Sequence, residues 1–207
     1  MIRAELERYI ARLPDNPALA ELFRRYGMNF RWLAVFTIVT GNIAAVLSGT
    51  IINVAIPDIM GAFGISQADA QWLSTANLAA ATVSMLASSW MVRVLGLRQT
   101  VNISMCLLLA GSLLGGLANN TDVMIISRVM QGITAGLLTP LSTMIIFQVF
   151  LPGKQGIAIG VSTVGIILAP AIGPAIGGIL IDTFNWRYVF YLGTPFSLIP
   201  LAASFAF

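Results

Sequence analysis

Arg128 lies about five residues inside an apolar run, in the segment Arg128-Val129-Met130-Gln131-Gly132. A charge within hydrocarbon is costly, so an arginine there reads first as functional. Gln131 follows three residues on and shares its helical face. The pair sets a cationic donor beside an amide, which suits a polar cavity that coordinates a carboxylate or relays a proton. The competing reading is snorkelling toward Asp122 at the rim, about 9 Å away along the axis. Ser48, Asn53 and Asn42 are polar groups in another apolar run. The Asn53 amide needs partners in hydrocarbon, which a substrate path or a neighbouring helix supplies equally well.

Other chemistries are excluded. The chain has no His, which removes His metal sites, His general bases and Ser-His-Asp triads. No metal site is expected. Cys106 is the single cysteine and sits in an apolar run, where small apolar filler is its expected role. Asp58, Asp69, Asp122 and Asp182 all fall near span edges, so no carboxylate pair is set within a cavity, and an enzyme is not expected.

These residues must be positioned by membrane-spanning helices. Of 207 residues, 57% are hydrophobic and only 9% charged, far below the roughly 25% charged of a soluble domain. Six runs approach the 20 or so apolar residues that a span needs. They are Trp32–Pro57, Trp72–Val92, Thr100–Ala118, Val123–Val149, Ile157–Ile181 and Tyr188–Phe207. Ten of the nineteen charged residues lie in positions 1–31. The basic residues sit where a membrane protein needs them, so the net charge of +3 implies no nucleic acid partner.

Orientation follows from the arginines and lysines. The N-terminal segment, the loop with Arg93 and Arg98, and the loop with Lys154 hold nine of them; the opposite loops hold only Arg187. Positive-inside puts the N-terminus and these nine residues in the cytoplasm, in a multi-pass protein of the cell membrane. Residues 1–31 read as a cytoplasmic amphipathic segment and 32–207 as the transmembrane domain. In the segment Ile2, Leu6, Tyr9, Ile10 and Leu13 recur at helical spacing, Pro14-Asp15-Asn16-Pro17 breaks the helix, and Ala18 to Tyr26 forms a second amphipathic stretch. An interfacial helix whose arginines touch anionic headgroups is the expected role. Ser66-Gln67-Ala68-Asp69 resembles a capping box that starts the second span.

The fifth span carries Ala169-Pro170-Ala171-Ile172-Gly173-Pro174-Ala175-Ile176-Gly177-Gly178. Two prolines four apart remove two backbone donors and are expected to kink the helix. Gly173 and Gly177 make a face that admits a close neighbour. The same small-xxx-small spacing recurs at Gly111–Gly115, Gly132–Gly136 and Gly156–Gly160, where it reads as packing.

These motifs, with Asn53-Val54-Ala55-Ile56-Pro57, Gln71-Trp72-Leu73 and Trp186-Arg187-Tyr188-Val189-Phe190, occur in order along residues 32–207. Together they resemble the N-terminal half of a major facilitator superfamily exporter, of the fourteen-span drug:proton antiporter branch. The resemblance implies an all-α fold of six transmembrane helices arranged as two three-helix inverted repeats. It implies export of amphipathic drugs or other small organic compounds by proton antiport, with no cofactor but the proton gradient. It implies substrate and coupling roles for Arg128, Gln131, Asn53 and Ser48. Pro170, Gly173, Pro174, Gly177 and Gly178 would be hinge and packing positions, and Arg93, Gly96 and Arg98 a cytoplasmic gating loop. The implied partners are the bilayer, a small amphipathic substrate, a C-terminal half or a second copy, and, as an option, a periplasmic adaptor.

Three positions depart from the family pattern. Ser48 stands where a first-span Asp is usual, the acid of the Arg93–Arg98 loop is absent, and Asn77 stands where Tyr is common. Two alternatives stay open: a nutrient facilitator or symporter of the same fold, and a non-transporting six-span scaffold or truncated fragment. A six-span half is expected to be completed by further chain or by dimerisation.

Overall fold

The computed structural model describes residues 7, 9–11 and 17–206. Most of the first amphipathic stretch, including Ile2, Leu6 and Leu13, lies outside the described residues, as do the Pro14-Asp15-Asn16 break and Phe207. All described regular structure is helical: α1 (Pro17–Tyr26), a 3-10 turn (Gly27–Asn29), α2 (Phe30–Phe63), α3 (Gln67–Leu95), α4 (Leu97–Leu117), α5 (Thr121–Val149), α6 (Gln155–Thr183), α7 (Arg187–Tyr191) and α8 (Gly193–Ala206). The helices α3 to α6, and the run that contains α2, are long and apolar enough to cross a membrane. They extend a few residues past the apolar cores read from sequence, because rim residues continue the backbone ladder beyond the hydrocarbon.

Helix ends follow local chemistry. Ser66 accepts from the Asp69 amide while Asp69 accepts from the Ser66 amide, completing the capping box that starts α3. The Asn120 side chain caps α5 through the Val123 amide at 2.9 Å. Gly96 alone separates α3 from α4, at φ +83° and ψ 160°. That region is open in practice only to glycine. The sixth apolar run, expected as one span, is broken at Leu192 into α7 and α8. Pro195 has no amide to offer the Tyr191 carbonyl, so the ladder fails there.

The packing exchanges partners between the two three-helix units. α3 lies mainly against α5 and α6 mainly against α2, so each unit's second helix covers the other unit's first. α2 and α5 cross at the centre, α4 packs on α5, and α8 packs on α4 and α2. α3 and α6 are the most exposed of these helices. Each turns a row of large apolar side chains outward, such as Leu78, Met85 and Leu86 on α3 and Ile167 and Ile172 on α6.

The N-terminal segment packs on the bundle. Tyr9, Leu19 and Phe23 form one buried cluster with Phe30 and Val35 of α2, Ile146, Val149 and Phe150 at the end of α5, and Ala158 of α6.

Candidate functional site

α5 reaches the centre of the bundle because Gly132 and Gly136 let α3 come against its backbone. A Cβ on Gly132 would run into the Asn77 carbonyl, and one on Gly136 into the Ala81 carbonyl. That close crossing places the preceding turn of α5, which holds Arg128, among α2, α3 and α4.

Arg128 is 1% exposed. Its Nη1 donates to the Ser48 carbonyl of α2 at 2.8 Å and to Oε1 of Gln131. Its Nε donates to the Leu73 carbonyl of α3 at 3.4 Å. Nη2 is buried with no hydrogen-bond partner. Gln131 Nε2 continues to Ser112 Oγ of α4 at 3.4 Å, and Ser127 Oγ donates to the Gly111 carbonyl at 2.7 Å. α8 closes the back of the site: a Cβ on Gly193 would sit 2.8 Å from Ser112 Oγ and 3.2 Å from Ser48 Oγ.

Among the described residues no carboxylate pairs with Arg128; the described ion pair is Arg24 with Glu7. A buried cation held by carbonyl dipoles is only partly compensated, since a carbonyl carries a fraction of a carboxylate's charge. Such a site favours the approach of a negative group and disfavours another positive one. Asp58, Asp69, Asp122 and Asp182 are all exposed at the end of the bundle opposite the N-terminal segment.

Of the residues predicted from sequence, Arg128 and Gln131 are brought together, with Ser48 beside them. Ser48 takes part through its backbone carbonyl, not its hydroxyl. Asn53 is elsewhere: it is exposed on α2 and accepts from Ser74 Oγ of α3 at 3.0 Å. Asn53 and Arg128 are therefore not brought together: Asn53 is exposed, while Arg128 points into the packed interior. Asn42 bonds Ser142 across the α2–α5 crossing at 3.1 Å.

The fifth-span motif splits into two faces. Gly173 and Gly177 are buried against α2, where built Cβ atoms would stand 2.7 Å from Thr50 Oγ1 and 2.6 Å from Ile51 Cγ1. Pro170 and Pro174 are exposed, and α6 runs as one continuous helix through both. Gly178, and the Gly156–Gly160 pair expected to pack, have nothing within 4 Å of a built Cβ. Arg93 and Arg98 are exposed beside Gly96, and the Arg93 Nε donates to the Ser89 carbonyl of its own helix at 3.3 Å.

Sequence reasoning missed Leu73, Ser112 and Ser127 as members of the site. Leu73 contributes only its carbonyl, for which no side-chain signal exists. The two serines fall beside Gly111 and Arg128, and small polar residues on glycine-rich faces were the available hint.

The family model described as Major Facilitator Superfamily matches residues 38–207. Multidrug export protein EmrB of Haemophilus influenzae is 34% identical over 153 residues, which cover 74% of this chain and 30% of that protein. The probable multidrug resistance protein EmrY of Escherichia coli is 31% identical over 170 residues, 82% of this chain and 33% of its own length. The inward-open structure of the xylose transporter XylE from E. coli matches with a TM-score of 0.72 at 17% identity, covering 86% of this chain and 48% of that one. The chain thus spans about a third of the length of these curated relatives. At 17% identity the XylE likeness concerns the fold alone.

Proposed function

This chain belongs to the Major Facilitator Superfamily, and on that premise we propose that it supplies six helices of an exporter of amphipathic organic compounds, driven by proton entry across the cell membrane. The observation that carries the proposal is the buried Arg128, held at the meeting of α2, α3 and α5 with one nitrogen unpartnered. The likeness to a multidrug export protein, EmrB, supports export of drugs as direction and substrate class, and the likeness to a probable multidrug resistance protein, EmrY, supports the substrate class.

In this reading Arg128 and Gln131 are the polar core that responds to substrate or to protonation. The coupling carboxylate belongs to the remainder of the transporter, because Ser48 replaces the first-span acid implied by resemblance. Gly173 and Gly177 hold α6 tight against α2 and bias exchange toward export. Arg93, Gly96 and Arg98 stabilise the closed cytoplasmic face. The N-terminus and the nine basic residues on its side lie in the cytoplasm in this reading, which the lysine and arginine count supports. No cofactor beyond the proton gradient is involved. Alternating access needs a second six-helix half, from further chain or a second copy, and a periplasmic adaptor is an optional partner.

Efflux of a lipophilic cation dye from proteoliposomes under an imposed proton gradient tests this. Arg128→Ala is expected to lower gradient-driven efflux by about two orders of magnitude; parental rates in that variant would refute the role of Arg128. A second reading, a passive carrier of the same fold, is favoured by the exposure of all four acids from Asp58 onward. It predicts dye movement that survives collapse of the gradient by an uncoupler.

A further inference from the structure

We propose that Asn77 is the positioning residue for Arg128, fixing the roll of α5 against α3 so that the guanidinium reaches α2. The proposal rests on Arg128 being the working group of the transporter.

α3 grips Arg128 at both ends. The Asn77 Nδ2 donates to the Arg128 backbone carbonyl at 2.9 Å. One turn earlier, the Leu73 carbonyl receives the Arg128 Nε. Within a helix a carbonyl accepts the amide four residues on, and its second lone pair is left over. Asn77 takes that second lone pair, so the contact adds to the α5 ladder without breaking it.

The α3 and α5 backbones approach closely beside this bond. The Asn77 carbonyl is the atom that a Cβ on Gly132 would strike, so the α3 and α5 backbones touch one turn beyond Arg128. On the other side, Asn77 Oδ1 lies 3.7 Å from where a Cβ on Gly49 would stand. Gly49 adjoins Ser48, whose carbonyl holds the guanidinium. Asn77 therefore sits where α2, α3 and α5 meet. Gly132 sets how closely α3 and α5 approach but cannot set rotation, since a glycine contact is slippery. The Asn77 amide is directional, and a rotation of α5 that carried Nη1 away from Ser48 would break it.

The experiment uses the purified protein in proteoliposomes, with ethidium efflux under a proton gradient and amide hydrogen exchange of residues 128–132 on the same preparations. The variants are Asn77→Leu, which matches the size without a donor, Asn77→Gln, which keeps the donor, Arg128→Ala, and the Asn77→Leu/Arg128→Ala double. Asn77→Leu is expected to slow efflux turnover by about tenfold, the factor that one hydrogen bond carries, while its melting temperature stays near parental. Exchange at 128–132 is expected to speed up in Asn77→Leu and to return toward parental in Asn77→Gln. The double variant should lose no more than Arg128→Ala alone, since both act through one group.

Unchanged exchange in Asn77→Leu, or losses that multiply in the double variant, would overturn the proposal. If the parental protein moves no ethidium by itself, the exchange results alone decide whether Asn77 positions Arg128, and the transport reading is decided with the second six-helix half supplied. If Asn77→Leu does not fold, Asn77→Ala, which also lacks a donor, takes its place under the same criteria.

Discussion

Arg128 at the centre of the bundle and Arg31 at the start of α2 are both held without a carboxylate among the described residues, but by different means. Arg128 is gripped by oxygens: two backbone carbonyls from other helices and the amide of Gln131. Arg31 lies between two aromatic faces, 5.6 Å from the Tyr9 ring centre and 5.5 Å from that of Phe150, with Nε and Nη1 buried and unpartnered. Around it Tyr9 donates to the Val149 carbonyl at 2.8 Å, the last residue of α5, whose carbonyl has no partner within the helix. Nearby, exposed Arg24 pairs with Glu7, whose hydrogen bond and charge raise its pKa.

The difference separates a directional site from a packing clasp. Carbonyl acceptors demand a guanidinium fork in one orientation, whereas ring faces accept a cation over a broad range of poses. The centre is set by what the helices lack, since glycines let backbones touch. The clasp is set by what its residues carry, since Tyr9, Phe23, Phe30 and Phe150 fill space with rings.

The sharpest way to break this comparison is to remove each arginine in turn. Arg128→Ala should lower gradient-driven efflux by about two orders of magnitude, as expected for losing charged hydrogen bonds. Arg31→Ala should leave efflux per folded molecule within about threefold, as an alteration outside the path of coupling does. Equal losses in a proteoliposome assay would erase the distinction. Next in size are two opposite changes of bulk. Gly132→Ala adds a methyl where the Asn77 carbonyl already stands and should cost about 1–3 kcal/mol on thermal unfolding. Phe23→Ala empties the clasp instead, and should expose residues 17–31 to protease while leaving the melting of α2–α6 near parental; global loss of the bundle would show the clasp to be part of its core.

Lysine replacements give a smaller contrast. Arg128→Lys loses the fork and should retain about a tenth of efflux or less, while Arg31→Lys keeps a cation between two rings and should retain most of it. The smallest expected effect is Tyr9→Phe, which removes one hydroxyl bond to Val149 and should lower stability by about 1 kcal/mol, measured by unfolding in detergent, with transport unaltered.

The spans were legible in the sequence because membrane insertion sums over 20 or so neighbours, and no single residue has to be right. The break in the sixth run was less so: Pro195 was visible, but its effect on Tyr191 depends on where α7 begins. Arg128 and Gln131 were legible as a pair because three residues along a helix share a face. Ser48 was singled out for its hydroxyl, yet it is the carbonyl that works, a group every residue carries.

By itself the sequence determined five long apolar helices, the Ser66 capping box, the basic end of the bundle, and the presence of one cation inside apolar chain. Each depends on residues within a few turns of one another. Only the tertiary structure decided that Arg128 meets Ser48 and Leu73, that Asn53 turns outward to Ser74, that Asn77 bonds the Arg128 carbonyl, and that Gly173 and Gly177 pack while Gly160 and Gly178 do not. Those outcomes depend on the roll and register of helices whose contacting residues lie about 20 to 125 positions apart, as between Asn53 and Ser74 or Gly173 and Thr50. Helical periodicity says which residues share a face, but the face that turns inward is chosen by the neighbours packed against it.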